Sequence, residues 1–456
     1  MTRDSVANAR VLGGMSRRDF LKLGGAGLAG ATLLGVAGCG GGGGGEEGAG
    51  GKVQLTLWHQ EQPPNRVQQF QKVIDAFNQS QDNVQVRQQV QNWEDAYQKT
   101  TSAIQAGNQP DLQFTIPDFT VAIKQTGAVQ PVADIVEEIN SSHPFLENAM
   151  QPYRYEGDTW AVPLFGMIQM LWYRKDMYEA AGLDPESPPR NWDELRQYSE
   201  QLTSGDKYGM GITSSKHLYT DQEFYTFMIT NGGKELFDEA GNVKFDTPNN
   251  VETVAFYKEL SEFSPPGSNS WTWAEPQAAL NNGTLAMAIE KGQFLGPFEE
   301  ESGRPASDLG VAPVPWPPDG ERGSIYYSNG AMLLTDEEEK KEAAREFLSF
   351  VLEPKNYANL LLAEPGLFLP VTEDGNSPAW KNSEVLSKYP EAVNLMVEQS
   401  KHGYLFGFTR DKIPQGIGQI SAENLLSQVV QKAIVEGDSP EAAVAWGQQE
   451  MQAAAS

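Results

Sequence analysis

The sequence predicts an α/β fold, and three observations predict it. Strand-like and helix-like segments alternate after residue 51. Hydrophobic residues make up 39% and charged residues 21%, enough to build a core and too apolar for disorder. No stretch of that body approaches 18 uninterrupted apolar residues, so the apolar segments are core elements rather than membrane spans. A chain of 456 residues has room for two or three domains, or for one large bilobed body.

Val53–Trp58 alternates apolar and polar residues, as a half-buried strand does. Arg66–Ser80 carries Val67, Phe70, Val73, Ile74 and Phe77 at helical spacing. Val84–Val90 reads as a strand and Glu94–Ala106 as a helix; Asp111–Phe114 is a short strand after a Gly/Pro turn. This β-α-β-α-β order implies a parallel sheet covered by helices, with ligands beyond the carboxyl ends of its strands. Thr247-Pro248 opens a helix running through Phe263. Leu285–Glu290 and Leu309–Val314 are strand-like. Thr335-Asp336-Glu337-Glu338 reads as a capping box for a helix through Leu352. The last hundred residues read as helical, closing with a helix that starts at Ser439-Pro440-Glu441.

The first fifty residues read as an address. Ser16-Arg17-Arg18-Asp19-Phe20-Leu21-Lys22 is a twin-arginine export motif, with Arg17 and Arg18 as its pair. The apolar run from Leu23 to Ala37 is too short and Gly-rich to span a membrane and reads as a signal core. Val36-Ala37-Gly38-Cys39 resembles a bacterial lipobox, which makes Cys39 the lipid-bearing mature N-terminus. Residues 1–38 are then a signal peptide, and 39–51, with six consecutive glycines from Gly40 to Gly45, a flexible tether. Met1 and Met15 are both candidate starts. The expected location is the outer face of the cell membrane, reached by twin-arginine export, which carries folded proteins.

Composition narrows the chemistry. Sixty-one acids against 34 bases give a net charge of −27, which argues against a nucleic-acid partner. One cysteine excludes an intrachain disulfide or a zinc-cysteine cluster, and four histidines leave little for metal chemistry. No metal or cofactor is called for. No Gly-x-Ser-x-Gly elbow, His-Glu-x-x-His helix or Walker loop occurs. A glycosidase needs two carboxyls about 5–10 Å apart. Glu94, Asp118 and Glu290 are candidates for such a pair, but among 61 acids chance candidates are common.

One ordered set of motifs goes further. Gly157-Asp158-Thr159-Trp160-Ala161-Val162-Pro163 runs on to Leu171-Trp172-Tyr173-Arg174-Lys175-Asp176. Pro188-Pro189-Arg190-Asn191-Trp192-Asp193-Glu194-Leu195 and Asn282-Gly283-Thr284-Leu285-Ala286-Met287 follow. Together these resemble the type-1, carbohydrate-binding class of extracellular solute-binding proteins, and the likeness covers essentially all of residues 52–456. The resemblance implies the two-lobed periplasmic-binding-protein fold of type II: two α/β domains joined by hinge strands that cross near Pro163–Gly166, Ile325–Ser328 and Glu364–Gly366. Lobe one is then about 52–163 and 327–364, and lobe two about 167–324 and 367–456. It implies a monomer that binds an oligosaccharide or other sugar in the cleft and hands it to the permease subunits of an ABC importer. The alternative is a non-sugar solute such as a glycerol phosphodiester, a peptide or iron.

All ten tryptophans lie after Cys39. Aromatic faces suit the C–H faces of sugar rings, and core packing is the alternative for each. Trp58 and His59 end the first strand, and Gln60 follows; Asn92 and Trp93 follow the second strand. Trp271 and Trp273 flank one residue in a polar loop. Tyr326 and Asn329 sit at a crossing, and Phe406 and Phe408 in a late aromatic loop that ends at Arg410. The resemblance adds five, Asp118, Phe165, Met167, Glu290 and Phe294. Asp118 matches a hydroxyl-binding Asp of maltodextrin-binding relatives, with a helix N-cap as its alternative. Phe165 and Met167 follow the first crossing, where relatives can carry a Glu in place of Met167. Glu290, Gln293 and Phe294 follow the Ala-Met strand, and where the family often has Gly-x-Trp this chain reads Gly292-Gln293-Phe294. Thr115 replaces a stacking Trp of those relatives.

Overall fold

A computed structural model describes residues 51–409, 413–414 and 416–456. Arg17, Arg18, Cys39 and Arg410 lie outside the described residues. The chain begins β1 (Val53–His59), α1 (Pro64–Ser80), β2 (Val84–Val90), α2 (Ala96–Gln105), β3 (Leu112–Thr115) and α3 (Pro117–Lys124). β1 pairs in parallel with both β2 and β3, as the β-α-β-α-β reading requires. The inward residues Leu55, Leu57, Val84, Val86 and Leu112 are buried against Phe70, Ile74 and Phe77 of α1.

β4 (Val162–Ile168) joins this first sheet by pairing with β9 (Ser324–Leu333), whose far end pairs with β3. A second sheet holds β5 (Met170–Arg174), β6 (Tyr208–Gly211), β7 (Leu285–Glu290) and β8 (Leu309–Ala312), in the order β8-β5-β7-β6. The architecture is therefore two α/β domains, each with its own sheet. Gln169 alone separates β4 from β5. It is fully buried, its side-chain oxygen accepting from Thr226 Oγ1 at 2.6 Å and its carbonyl from Ser324 Oγ at 2.7 Å. The return connection joins β8 to β9. A third segment bridges back where Gly166 and Leu369 exchange backbone hydrogen bonds of 2.8 and 2.9 Å. Beside it, Gly366 has a φ of +91°, and Gly292 lies so close that a Cβ there would collide with the Gly366 carbonyl. Only glycine allows these two backbones to touch.

Helix α4 (Leu218–Thr230) is buried from Tyr219 to Thr230, and α5 (Pro248–Ser261) packs on it. Thr247 caps α5 through its side chain, as its sequence suggests. α6 (Ala274–Asn281) precedes β7. The capping box expected at Thr335 does not form. Helix α7 starts at Glu338 (Glu338–Leu352), and Thr335 Oγ1 instead accepts from the Glu337 N–H at 3.3 Å, a local turn that holds the chain out of helix. The chain ends with the short strand β10 (Gly403–Tyr404), paired to the start of β9, and with α8 (Ile417–Ala422), α9 (Leu425–Ile434) and α10 (Pro440–Ala454). Ser439 caps α10.

Inside α4, Glu223 is fully buried. Its Oε2 accepts from Thr213 Oγ1 at 2.6 Å, Tyr257 OH at 2.7 Å and Thr213 N at 3.0 Å. Burial nevertheless pushes its pKa from 4.5 up to about 7. A raised carboxyl pKa favours the folded state below the unfolded value, and that advantage is lost as pH rises through the folded value. We predict that Glu223→Gln, which keeps an acceptor without the charge, gains stability relative to the parent as pH rises from 4.5 to 7. The difference should change by roughly 3 kcal/mol at most. Urea melts across that range test it, and a difference constant with pH would contradict it.

Candidate functional site

β1 and β2 deliver their carboxyl ends to a single cavity of about 850 Å³, its open mouth included. Gln60, Glu61 and Gln62 continue β1 into its wall, and Trp93 and Glu94 follow β2. Met167, Tyr327 and Asn329 come from the paired strands β4 and β9. The opposite wall is His217, Tyr219 and Gln222 at the start of α4, Trp273 before α6, and Glu290, Lys291 and Gln293 after β7. Residues of both domains thus face one space, at the strand ends where α/β sheets bind ligands.

Arg66 anchors one wall. It lies in the first turn of α1, where the helix dipole disfavours a cation. Two carboxylates reverse that: Nη1 donates to Glu61 at 2.7 Å and Nε to Glu364 at 2.8 Å. Burial opposes its charge, and the two carboxylates outweigh that and hold its pKa above the usual value. Its guanidinium stacks 5.9 Å from the Trp273 ring and 5.8 Å from Phe368. Lys291 is the buried cation of the opposite wall. Its ammonium donates to Gln222 at 2.7 Å and lies 3.9 Å from Glu290. Burial lowers its pKa, with Glu290 opposing. Across the mouth, His217 Nδ1 accepts from the Tyr219 N–H at 3.0 Å, so Nε2 carries the proton and faces Glu94 at 3.8 Å. Burial lowers this imidazole's pKa, which suits a neutral ring.

The cavity also gathers polar atoms with nothing to bond. Both amide atoms of Gln60, Glu290 Oε2, Gln293 Oε1 and Asn329 Nδ2 are buried without a protein partner. Unmatched buried polar groups cost about 1–3 kcal/mol each, so such a set drawn from both walls of one cavity is a demand for a ligand or water. It includes donors and acceptors side by side.

Of the residues expected to touch ligand, Trp93, Met167, Trp273, Glu290 and Asn329 line this cavity. The other ten lie outside its lining, for identifiable reasons. His59 is turned into the core: Nε2 donates to Gln88 at 2.7 Å, Nδ1 accepts from the Glu61 N–H at 3.3 Å, and the ring meets Phe70 edge-on. Trp58 is buried, with Lys99 Nζ 5.9 Å above its ring. Asn92 is exposed and bonded to Gln62. Phe165 stacks on Phe368 at 3.9 Å, and Phe294 packs on Trp172. Tyr326 is buried over Gly166, where a Cβ would collide with its ring. Phe406 meets Tyr225 and Tyr327 edge-on, and Phe408 is buried. Trp271 is half-buried and its carbonyl accepts from Ser215 Oγ. Asp118 is fully enclosed. Arg66, Lys291 and Gln222 were not anticipated. A cation in the first turn of a helix, against the dipole, was the one sequence signal for Arg66.

The sequence pattern of the family described as bacterial extracellular solute-binding protein matches residues 63–358. The chain is 26% identical over 393 residues to YcjN of Escherichia coli strain K12, a protein named for periplasmic binding in an ABC transporter; the match covers 84% of this chain and 88% of that one. A solved ABC-transporter solute-binding protein of Thermotoga lettingae TMO, bound with alpha-D-tagatose, superposes with a TM-score of 0.76 at 22% identity, covering 89% of this chain and all of that one. The maltose-bound MalE3 of T. maritima superposes with a TM-score of 0.75 at 18% identity, covering 88% of this chain and 99% of that one. At these identities the two structures establish the fold.

Proposed function

The chain belongs to the bacterial extracellular solute-binding protein family, and from that premise we propose that it binds a neutral sugar reversibly in the described cavity and passes it to an ABC importer. It is a binding protein of that family rather than an enzyme. The observation that carries the sugar reading is the unmatched polar set of Gln60, Glu290, Gln293 and Asn329, flanked by the rings of Trp93 and Trp273. Sugar hydroxyls both donate and accept, and so suit donors and acceptors placed side by side. The sugar-bound relatives support the same reading.

The charges favour a neutral ligand. Arg66 already faces two carboxylates, and Lys291 faces Gln222 and Glu290. With Glu94 added, the acids lining the cavity, Glu61, Glu94 and Glu290, outnumber its cations, Arg66 and Lys291, so a phosphate or uronate would meet net repulsion. The two lobes, about 52–163 with 327–364 and about 167–324 with 367–456, would close on ligand by a hinge at Gln169 and its two partner segments. The ligand shifts the population toward the form the importer reads.

Three outcomes are expected. In thermal-shift screening, at least one neutral glycan raises Tm, consistent with about 2.7 kcal/mol at 100-fold excess over Kd, and is recovered unchanged after incubation. A shift with a glycerol phosphodiester and with no glycan would replace the sugar reading, and cleaved product would mean a glycosidase. Trp273→Ala weakens binding roughly tenfold or more without lowering the cooperativity of unfolding; a variant that fails to fold would make Trp273 a core residue. We further propose twin-arginine export through Arg17 and Arg18 of the signal in residues 1–38, and lipid attachment at Cys39 of a monomeric body tethered by residues 39–51. In cell fractionation, Cys39→Ser should move the protein from membrane to soluble fraction, and continued membrane retention would contradict the anchor.

A further inference from the structure

Three parallel strands, β2-β1-β3, end at one edge, yet only two of them open freely on the cavity. β1 contributes Gln60, Glu61 and Gln62, and β2 contributes Trp93 and Glu94. β3 contributes only Ile116, and two residues further on Asp118 is fully enclosed. What encloses it is the chain's own C-terminal region. Helix α8 packs directly on α3, and Gly418 comes so close that a Cβ there would lie 2.8 Å from the Ala122 nitrogen. The Ser421 hydroxyl of α8 donates to Asp118 Oδ2, and Tyr97 OH donates to the same oxygen at 3.1 Å.

Two features mark this corner as more than packing. Asp118 Oδ1 is buried with no partner, so the carboxylate is only half satisfied. The corner also lies immediately behind a cavity wall: Phe119 packs under Trp93 at 6.2 Å and under Tyr97 at 4.5 Å. A carboxylate at the carboxyl end of a parallel strand, accepting a hydroxyl, is what a sugar site offers. Here the hydroxyl comes from Ser421. Burial moves the carboxyl pKa up to about 6 against the hydrogen bonds from Ser421 and Tyr97, so holding the charged form here costs folding energy.

We propose that α8 is a built-in stop that ends the ligand groove behind Trp93, with Ser421 occupying Asp118 in place of a ligand hydroxyl, so that the protein selects short sugars of one or two rings. The inference rests on the sugar reading above and adds a limit on chain length and the residues that set it: Gly418, Ser421 and Asp118.

The test is a calorimetric titration of the mature protein with homologous series of one to five rings, built from glucose, mannose, galactose, xylose and arabinose. In the binding series, affinity should peak at one or two rings and gain less than twofold from further rings. Asp118→Asn should leave the Kd of the short ligand within twofold, because Asp118 does not touch it. Ser421→Ala, a small change that removes one of the two hydroxyls on Asp118 Oδ2, and Gly418→Leu, which pushes α8 off α3, should each raise affinity for the four-ring member at least fivefold over the two-ring member. Parent affinity that keeps rising to four or five rings would overturn the stop while leaving the sugar reading intact. So would a tenfold loss in Asp118→Asn, or an unchanged length preference in folded Ser421→Ala. Binding by no series at all would remove the sugar reading, and the stop with it.

Discussion

Arg66 sits between Glu61 and Glu364, and much of the site depends on that arrangement. The three groups come from the loop after β1, the first turn of α1 and the third connection between the domains. All three are buried. A buried ion pair is costly to desolvate and strongly destabilising to break, so the triad fixes geometry more than it adds stability. It clamps the start of α1 to the crossing segment, with Asn65 adding a 3.0 Å bond to Glu364. It also places a flat cation beside Trp273 on the opposing wall. The same pairing removes the positive charge from the cavity, which makes the site polar without making it an anion trap.

From that constraint the rest of the cavity follows. With Arg66 neutralised and Lys291 turned toward Gln222 and Glu290, the unmatched atoms left on the wall are amides and a carboxylate oxygen. These atoms leave a hydrogen-bonding deficit that a hydroxyl-rich, uncharged molecule fills. Glu94 and His217 lie 3.8 Å apart across the mouth and bring the two walls close there. The glycine contact at Gly292 and Gly366 shows how closely the crossing segments pack where the domains meet.

The fold was largely legible in the sequence. β2 and β7 occur at the limits their patterns suggest, and β1, β3 and α5 within a residue or two, because apolar periodicity and Thr, Ser and Pro caps act locally. The capping box failed because a Thr two residues before a backbone N–H can make a turn as easily as a cap. The site was legible in part, for a physical reason. At a strand end, one residue's step decides between core and cleft: His59 turns inward to Gln88 while Gln60 faces the cavity. Aromatic richness could not separate Trp93 and Trp273 from Phe165 and Phe406, since all of them bury area and only tertiary neighbours tell which face stays open. Asp118 fell at a site-like position that a helix some 300 residues later covers, which no local pattern reports.

The most direct measurement is a crystal structure of the mature protein with the best neutral glycan from screening. The expected result is a sugar ring beside Trp93 and Trp273, with hydroxyls on Gln60, Glu290, Gln293 and Asn329, and Arg66 still between Glu61 and Glu364. A ligand bound elsewhere, or one whose charged group has displaced Glu61 or Glu364 from Arg66, would contradict it.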